Sequence, residues 1–152
     1  MERLKRGGIS SAFVTLHVGA GTFKPATAEN LQEHKMEAEQ FTIDQANARL
    51  INAAKASGGR VVAVGTTSVR ALETASAGSE VKACNGETQL FIRPGYEFKL
   101  VDAMVTNFHL PRSTLLALVA AFAGLEDIVA AYRHAVEQCY RFYSYGDAML
   151  IL

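Results

Sequence analysis

Arg60-Val61-Val62-Ala63-Val64-Gly65-Thr66-Thr67-Ser68-Val69-Arg70 is the stretch on which the fold turns. Its apolar centre has no polar alternation, as expected of a strand covered on both faces. Gly65 stops it, three hydroxyl residues follow, and a helix from Thr67 to Ala75 begins with almost no loop. Two other runs end the same way. Ala12-Phe13-Val14-Thr15-Leu16 leads into His17-Val18-Gly19-Ala20-Gly21-Thr22, and Ala103-Met104-Val105 leads into Thr106-Asn107-Phe108-His109. Where parallel strands alternate with helices, the turns after the strands collect at one end of the sheet, and ligands bind there. One composite polar site is therefore expected.

Working outward, Glu2 to Arg6 reads as a helix end closed by Gly7-Gly8. Pro25 blocks further ladder pairing after the first strand, and Thr27 to Glu33 is a short helix. Met36 to Ile43 is extended, and Asp44 caps a helix through Ser57 whose Ala46, Leu50, Ile51 and Ala54 fall at helical spacing. Ala77 to Glu87 is small and polar, an exposed excursion. Gln89 to Ile92 is a short strand, Arg93-Pro94-Gly95-Tyr96 a turn, and Val101 to Thr106 the third main strand. Helices over Thr114 to Phe122 and Glu126 to Tyr140 precede a last strand within Gly146 to Ile151. The fold class is α/β: a mostly parallel sheet with alternating helices. About four main strands are visible, roughly half of what a closed β/α barrel needs, so the chain reads as a small layered sheet or as half of something larger.

Composition excludes several classes. The 152 residues are 49% hydrophobic, enough for one core, and 15 basic residues balance 15 acidic ones. The net charge carries no nucleic-acid signature, although a local basic patch would not register in it. The longest apolar stretch, Leu115 to Ala123, falls well short of the ~20 residues that cross a bilayer. Met1-Glu2-Arg3-Leu4-Lys5-Arg6 lacks the apolar centre of a secretory signal, so a cytoplasmic protein without membrane partners is expected. Cys84 and Cys139 are too few and too distant for a metal cluster.

Gly65, Thr66, Thr67 and Ser68 place backbone N–H groups and hydroxyls at the positive end of a helix, which suits a phosphate, a carboxylate or a ribose hydroxyl. The plainer reading is a helix cap. Arg70 adds a charge to that site or pairs with Glu73 at i,i+3. Gly19 and Gly21, with Thr22, allow a close approach of backbone to ligand, but the third glycine and immediate helix of a dinucleotide fingerprint are missing. Asn107, His109, Arg112 and Ser113 crowd a single turn, and His109 is of the type that serves as acid or base near neutral pH. Glu37 and Glu39 beside His34 suit a cationic or hydroxylated ligand better than a metal. The aromatic run Tyr140, Phe142, Tyr143 and Tyr145 is either core or a stacking surface for a base.

Five segments together resemble a known family: His17-Val18-Gly19-Ala20-Gly21-Thr22-Phe23, Val64-Gly65-Thr66-Thr67-Ser68-Val69-Arg70, Phe91-Ile92-Arg93-Pro94-Gly95-Tyr96, Val105-Thr106-Asn107-Phe108-His109-Leu110-Pro111, and Tyr140 to Met149. They are similar, in the same order, to the S-adenosylmethionine:tRNA ribosyltransferase-isomerases of queuosine synthesis. The likeness implies the C-terminal half of such an enzyme, part of a β/α barrel-like catalytic domain, with the N-terminal half and an inserted β domain outside this chain. It implies transfer and isomerisation of the ribosyl group of S-adenosylmethionine onto 7-aminomethyl-7-deazaguanine in tRNA, giving epoxyqueuosine. S-adenosylmethionine is then a substrate, and no metal or cofactor is called for. The partners implied are tRNA and the enzyme's other half, and the chain alone is expected to be inactive. Under this reading His109 or His17 is the catalytic base. Gly19, Gly21, Thr22, Gly65, Thr66, Thr67, Ser68 and Arg70 line the substrate, Asn107 bonds sugar or base, and Asp147 balances the sulfonium charge. Relatives commonly carry a second histidine where this chain has Glu37, so no role is carried over to that position. The alternative classes are an α/β enzyme or a binding module for a phosphorylated sugar or nucleotide.

Overall fold

The computed structural model describes residues 1–19 and 36–152. The expected helix Thr27 to Glu33, and Pro25, Gly21, Thr22 and His34, lie outside the described residues. Five helices are present among those described: α1 (Glu2–Arg6), α2 (Gln45–Ala56), α3 (Thr66–Ala75), α4 (Thr114–Ala123) and α5 (Leu125–Glu137). The strands are β1 (Thr15–Leu16), β2 (Glu39–Ile43), β3 (Val62–Val64), β4 (Ser76–Ala77), β5 (Glu80–Val81), β6 (Cys84–Thr88), β7 (Ala103–Asn107) and β8 (Ala148–Ile151).

Local chemistry explains most boundaries. Asp44 accepts the Asn47 amide at 2.7 Å and starts α2. Ser113 does the same for the Leu116 amide at 3.1 Å and starts α4. The Arg93 carbonyl accepts the Tyr96 amide at 3.0 Å, closing the expected turn around Gly95. In β2 the burial alternates, so Glu39, Phe41 and Ile43 face inward.

The mostly parallel sheet is not what forms. Two three-stranded sheets are built, β1-β2-β6 and β3-β7-β8, together with the hairpin β4-β5. Of these pairings, β3 with β7 is the parallel one; β1 with β2, β2 with β6, β4 with β5 and β7 with β8 are antiparallel. The cause at β8 lies in its connection. One helix returns a chain parallel to its starting strand, whereas β7 and β8 are joined through two helices bent by 115° about Gly124, which reverses the chain once more. A run of parallel strand-helix units forming half a barrel is accordingly not seen among the described residues.

Two stretches exchange roles. Residues 77–87, expected as a loop excursion, are largely exposed but contribute to β4, β5 and β6. β6 pairs with β2 residue for residue, and its Gly86 sits opposite Phe41, whose ring lies where a side chain would stand. Pairing with a strand distant in sequence overrides the loop-like composition. Conversely, Gln89 to Ile92 forms no strand. Arg70 Nε donates to the Leu90 carbonyl at 3.0 Å, and the segment joins no sheet while Ile92 is buried.

The core joins both sheets through α3. Val69, Ala71 and Leu72 of α3 cluster with Phe41 and Ile43 of β2, Met104 of β7, Leu118 and Val119 of α4, and Ile128 of α5. Among the described residues no single helix is long and apolar enough to cross a membrane.

Candidate functional site

The parallel pairing of β3 and β7 fixes the site. Val64 lies opposite Val105, and the Gly65 amide donates to the Val105 carbonyl at 2.8 Å, carrying the ladder one residue past β3. The turn Gly65 to Ser68 therefore lies beside the end of β7 at Thr106-Asn107. Gly65 has φ +90°, a conformation that an L side chain rarely adopts, and there the chain swings into α3. Gly65 is also the N-cap, and no side chain caps the helix. Ser68 Oγ instead bonds back to the Val64 carbonyl at 2.9 Å. The capping role considered for the threonines is thus not what they do, and the start of α3 keeps the partial positive charge of an uncapped helix end. Thr66 is buried, while Thr67 and Ser68 are half-buried.

β8 extends this rim. Asn107 lies opposite Ala148, and its Nδ2 donates to the Asp147 carbonyl at 3.2 Å. The Asp147 carboxylate accepts from Arg141 Nε at 3.1 Å and Nη2 at 3.2 Å. Hydrogen bonds from the Arg141 side chain and then its backbone hold that carboxyl below its ordinary range. The charge of Asp147 is therefore already balanced within the chain.

His109 is 6% exposed. Its Nε2 lies 3.0 Å from Thr106 Oγ1, and its backbone amide donates to Tyr132 Oη at 2.7 Å. Burial pushes its pKa down to about 4, so the ring is neutral at pH 7. Phe108, beside it, packs against Tyr132, Tyr140 and Phe142 at ring-centroid distances of 5.4, 5.6 and 5.3 Å. Phe142 is half-buried in this aromatic cluster, Tyr140 is exposed at its edge, and Tyr145 is exposed outright. Arg112 and Tyr143 both hold positive φ, at 58° and 64°, in the segments that fold over this turn, and the Tyr143 amide donates to the Phe108 carbonyl at 2.8 Å.

A family model described as queuosine biosynthesis protein matches residues 1–151. The chain belongs to that family. Its backbone also superimposes on the crystal structure of an S-adenosylmethionine tRNA ribosyltransferase from Thermotoga maritima with a TM-score of 0.81 and 50% sequence identity. The match covers 99% of this chain and 48% of the other, so the chain spans about half the length of that relative.

Within this queuosine-family chain, three expected residue groups meet at the β3-β7-β8 rim: Gly65 to Ser68, Asn107 and Asp147. His109 sits just behind the rim through Thr106. His17 is exposed at the end of β1, on the other sheet, with its backbone amide on the Gln40 carbonyl at 2.8 Å. No hydrogen bond among the described residues joins the two histidines. Arg70 does not pair with Glu73. It is buried and forms an ion pair with Glu39, whose other oxygen accepts the Gly19 amide at 2.8 Å. For Glu39, the cation expected of a ligand comes from inside the chain. Glu73 is buried and accepts the amides of Lys99, Leu100 and Val101 at 2.8, 3.1 and 2.9 Å. Sequence reading missed Tyr132 and the Glu39–Arg70 pair. Glu39 faces inward on the same strand face as Phe41 and Ile43, and a carboxylate at an alternating core position was the available signal.

Proposed function

We propose that this chain is the C-terminal half of an S-adenosylmethionine:tRNA ribosyltransferase-isomerase, and that with its other half it converts 7-aminomethyl-7-deazaguanine in tRNA to epoxyqueuosine. The observation that carries the reading is the 50% identity to a ribosyltransferase sustained over 99% of the chain. The site chemistry agrees with it. The uncapped start of α3, with the Thr67 hydroxyl, suits the ribose or the methionine carboxylate, and Ser68 Oγ, whose proton goes to the Val64 carbonyl, can accept from a ribose hydroxyl. Asn107, on the rim, bonds sugar or base.

The reaction needs removal of a proton from the carbon beside the sulfonium, orientation of the ribose and departure of adenine. A base works best with a pKa near the working pH. His109, lowered to about 4 and packed behind Thr106, suits a neutral hydrogen-bonding role that sets the Asn107 turn. His17, exposed at its strand end, is assigned as the base. Asp147, already paired with Arg141, orders the 141–147 loop against Asn107 more than it offsets the sulfonium.

The test is adenine release from S-adenosylmethionine with substrate tRNA, measured on the chain alone and on the chain joined to the half it does not span. Release by the joined protein and none by the chain alone is the expected result. Absence of release from the joined protein would overturn the assignment. The uncapped α3 start also favours a second reading, a site for a phosphorylated sugar. Thermal stabilisation by sugar phosphates, with none by S-adenosylmethionine, would select it.

A further inference from the structure

Glu39 and Arg70 hold each other in the interior, 2% and 3% exposed. One carboxylate oxygen of Glu39 takes Arg70 Nη1, and the other takes the backbone amide of Gly19. Arg70 is fixed in turn by the Leu90 carbonyl through its Nε, 3.0 Å away. Arg70 stands on α3 one turn beyond the Gly65 to Ser68 rim, and Gly19 lies three residues past the end of β1. A continuous chain of bonds thus runs from the helix that presents the rim, through Glu39 on β2, to Gly19 just beyond β1 of the other sheet.

A buried ion pair is a poor source of net stability, because desolvation offsets most of its attraction. Apolar residues would fill the space between β2 and α3 as well. They would not supply an acceptor for the Gly19 amide. We infer that Glu39 and Arg70 are positioning residues: Glu39 fixes Gly19 against α3 so that the Gly19 backbone and the rim bind the same S-adenosylmethionine. The inference rests on the ribosyltransferase reading above. Glu39 is the active member, and Arg70 keeps its carboxylate correctly turned. The space around Gly19 supports a hold by hydrogen bonding rather than by packing. A Cβ placed there would meet Glu37 and Glu39 at 3.6 and 3.7 Å, ordinary contact distances.

The experiment compares two double variants of the joined enzyme that both remove the ion pair. Glu39→Met with Arg70→Met leaves Gly19 without its acceptor, whereas Glu39→Gln with Arg70→Met keeps an amide oxygen for it. Readouts are the melting temperature and kcat/KM for S-adenosylmethionine and for tRNA. The Met/Met variant is expected to melt near the wild type and to lose about a hundredfold in kcat/KM for S-adenosylmethionine, the scale of a small misplacement of a binding group. The Gln-containing variant should recover most of that loss, and KM for tRNA should move in neither. Gly19→Pro, which removes the donor and leaves the ion pair intact, should reproduce the Met/Met loss, and Gly19→Ala should not. This last pair decides the matter if the Met/Met variant fails to fold. Equal losses in both double variants, or Gly19→Pro at wild-type activity, would overturn the positioning role while leaving the proposed function standing. No adenine release from the wild type would sink the function itself, and this inference with it.

Discussion

His109 Nε2 and Thr106 Oγ1 lie 3.0 Å apart at the end of β7, both buried. The contact fixes the imidazole inside the turn that carries Asn107, and its burial makes folding sensitive to acid. With the pKa lowered from 6.5 to about 4, the unfolded chain binds a proton that the folded chain refuses between those values. Stability must therefore rise with pH through that window and fall as pH drops from 6.5 toward 4. The full effect is on the order of 3 kcal/mol, from ~1.4 kcal/mol for each pKa unit. Urea unfolding at a series of pH values between 4 and 7 measures the slope, and a His109→Gln variant should lose this contribution to it. An unaltered slope in that variant would place the acid sensitivity elsewhere.

Gly65 tests backbone against contact. A Cβ there meets nothing within 4 Å, so the cost of Gly65→Ala comes from φ +90° alone. About 1 to 3 kcal/mol is expected, the usual cost of a side chain held in a backbone region that is nearly glycine-only. Gly95→Ala, at φ +95° and equally open, should also lose stability through backbone strain alone. Only Gly65→Ala should also impair adenine release by the joined enzyme, since Gly95 lies in the Arg93 to Tyr96 turn and not on the rim. Denaturant midpoints and a rate assay on both variants separate the two effects.

What was legible from the chain follows from how far apart the interacting residues are. The βα turn at Gly65 could be read because an apolar run, a glycine and a helix start are all local signals, and the α2 and α4 caps for the same reason. β6 could not, since Asn85 and Gly86 read as loop until β2 pairs with them. The direction of β8 depends on the bend between α4 and α5, which composition does not encode. In the site, Asn107 and Asp147 belong to separate motifs, and the β7-β8 register joins them. Glu39 and Arg70 are 31 residues apart on different element types, and neither has a local feature that names the other.

Glu73 is a second buried carboxylate with a checkable signature. Burial first, and the adjacent Glu73 charge and hydrogen bond next, push the Tyr96 phenol up to about 12. In Glu73→Gln the burial remains and the charge goes, so the phenol should fall only part of the way back toward 10. Ultraviolet titration follows it. Glu73→Ala additionally strands the amides of Lys99, Leu100 and Val101, at roughly 1 to 3 kcal/mol for each donor left buried. That variant should be largely unfolded.

The β3-β7-β8 sheet leaves an apolar face open. Val64, Val105 and Leu150 stand in register across it, with Val64 69% and Leu150 59% exposed, and Val62 is two residues along the same strand. Side chains in register share a sheet face, so these four make one patch. Contiguous apolar surface of this kind attracts dyes and other molecules. The isolated chain should therefore bind 8-anilinonaphthalene-1-sulfonate and associate as its concentration rises in sedimentation runs. Val64→Thr with Leu150→Thr should suppress both behaviours. Because neither side chain contributes to the buried core, the pair should shift unfolding free energy by no more than about 0.5 kcal/mol per site. A large loss of stability would mean that the two side chains are packed in solution, and unchanged dye binding would place the sticky surface elsewhere, for instance around the exposed Ile9 and Phe13 beside α1.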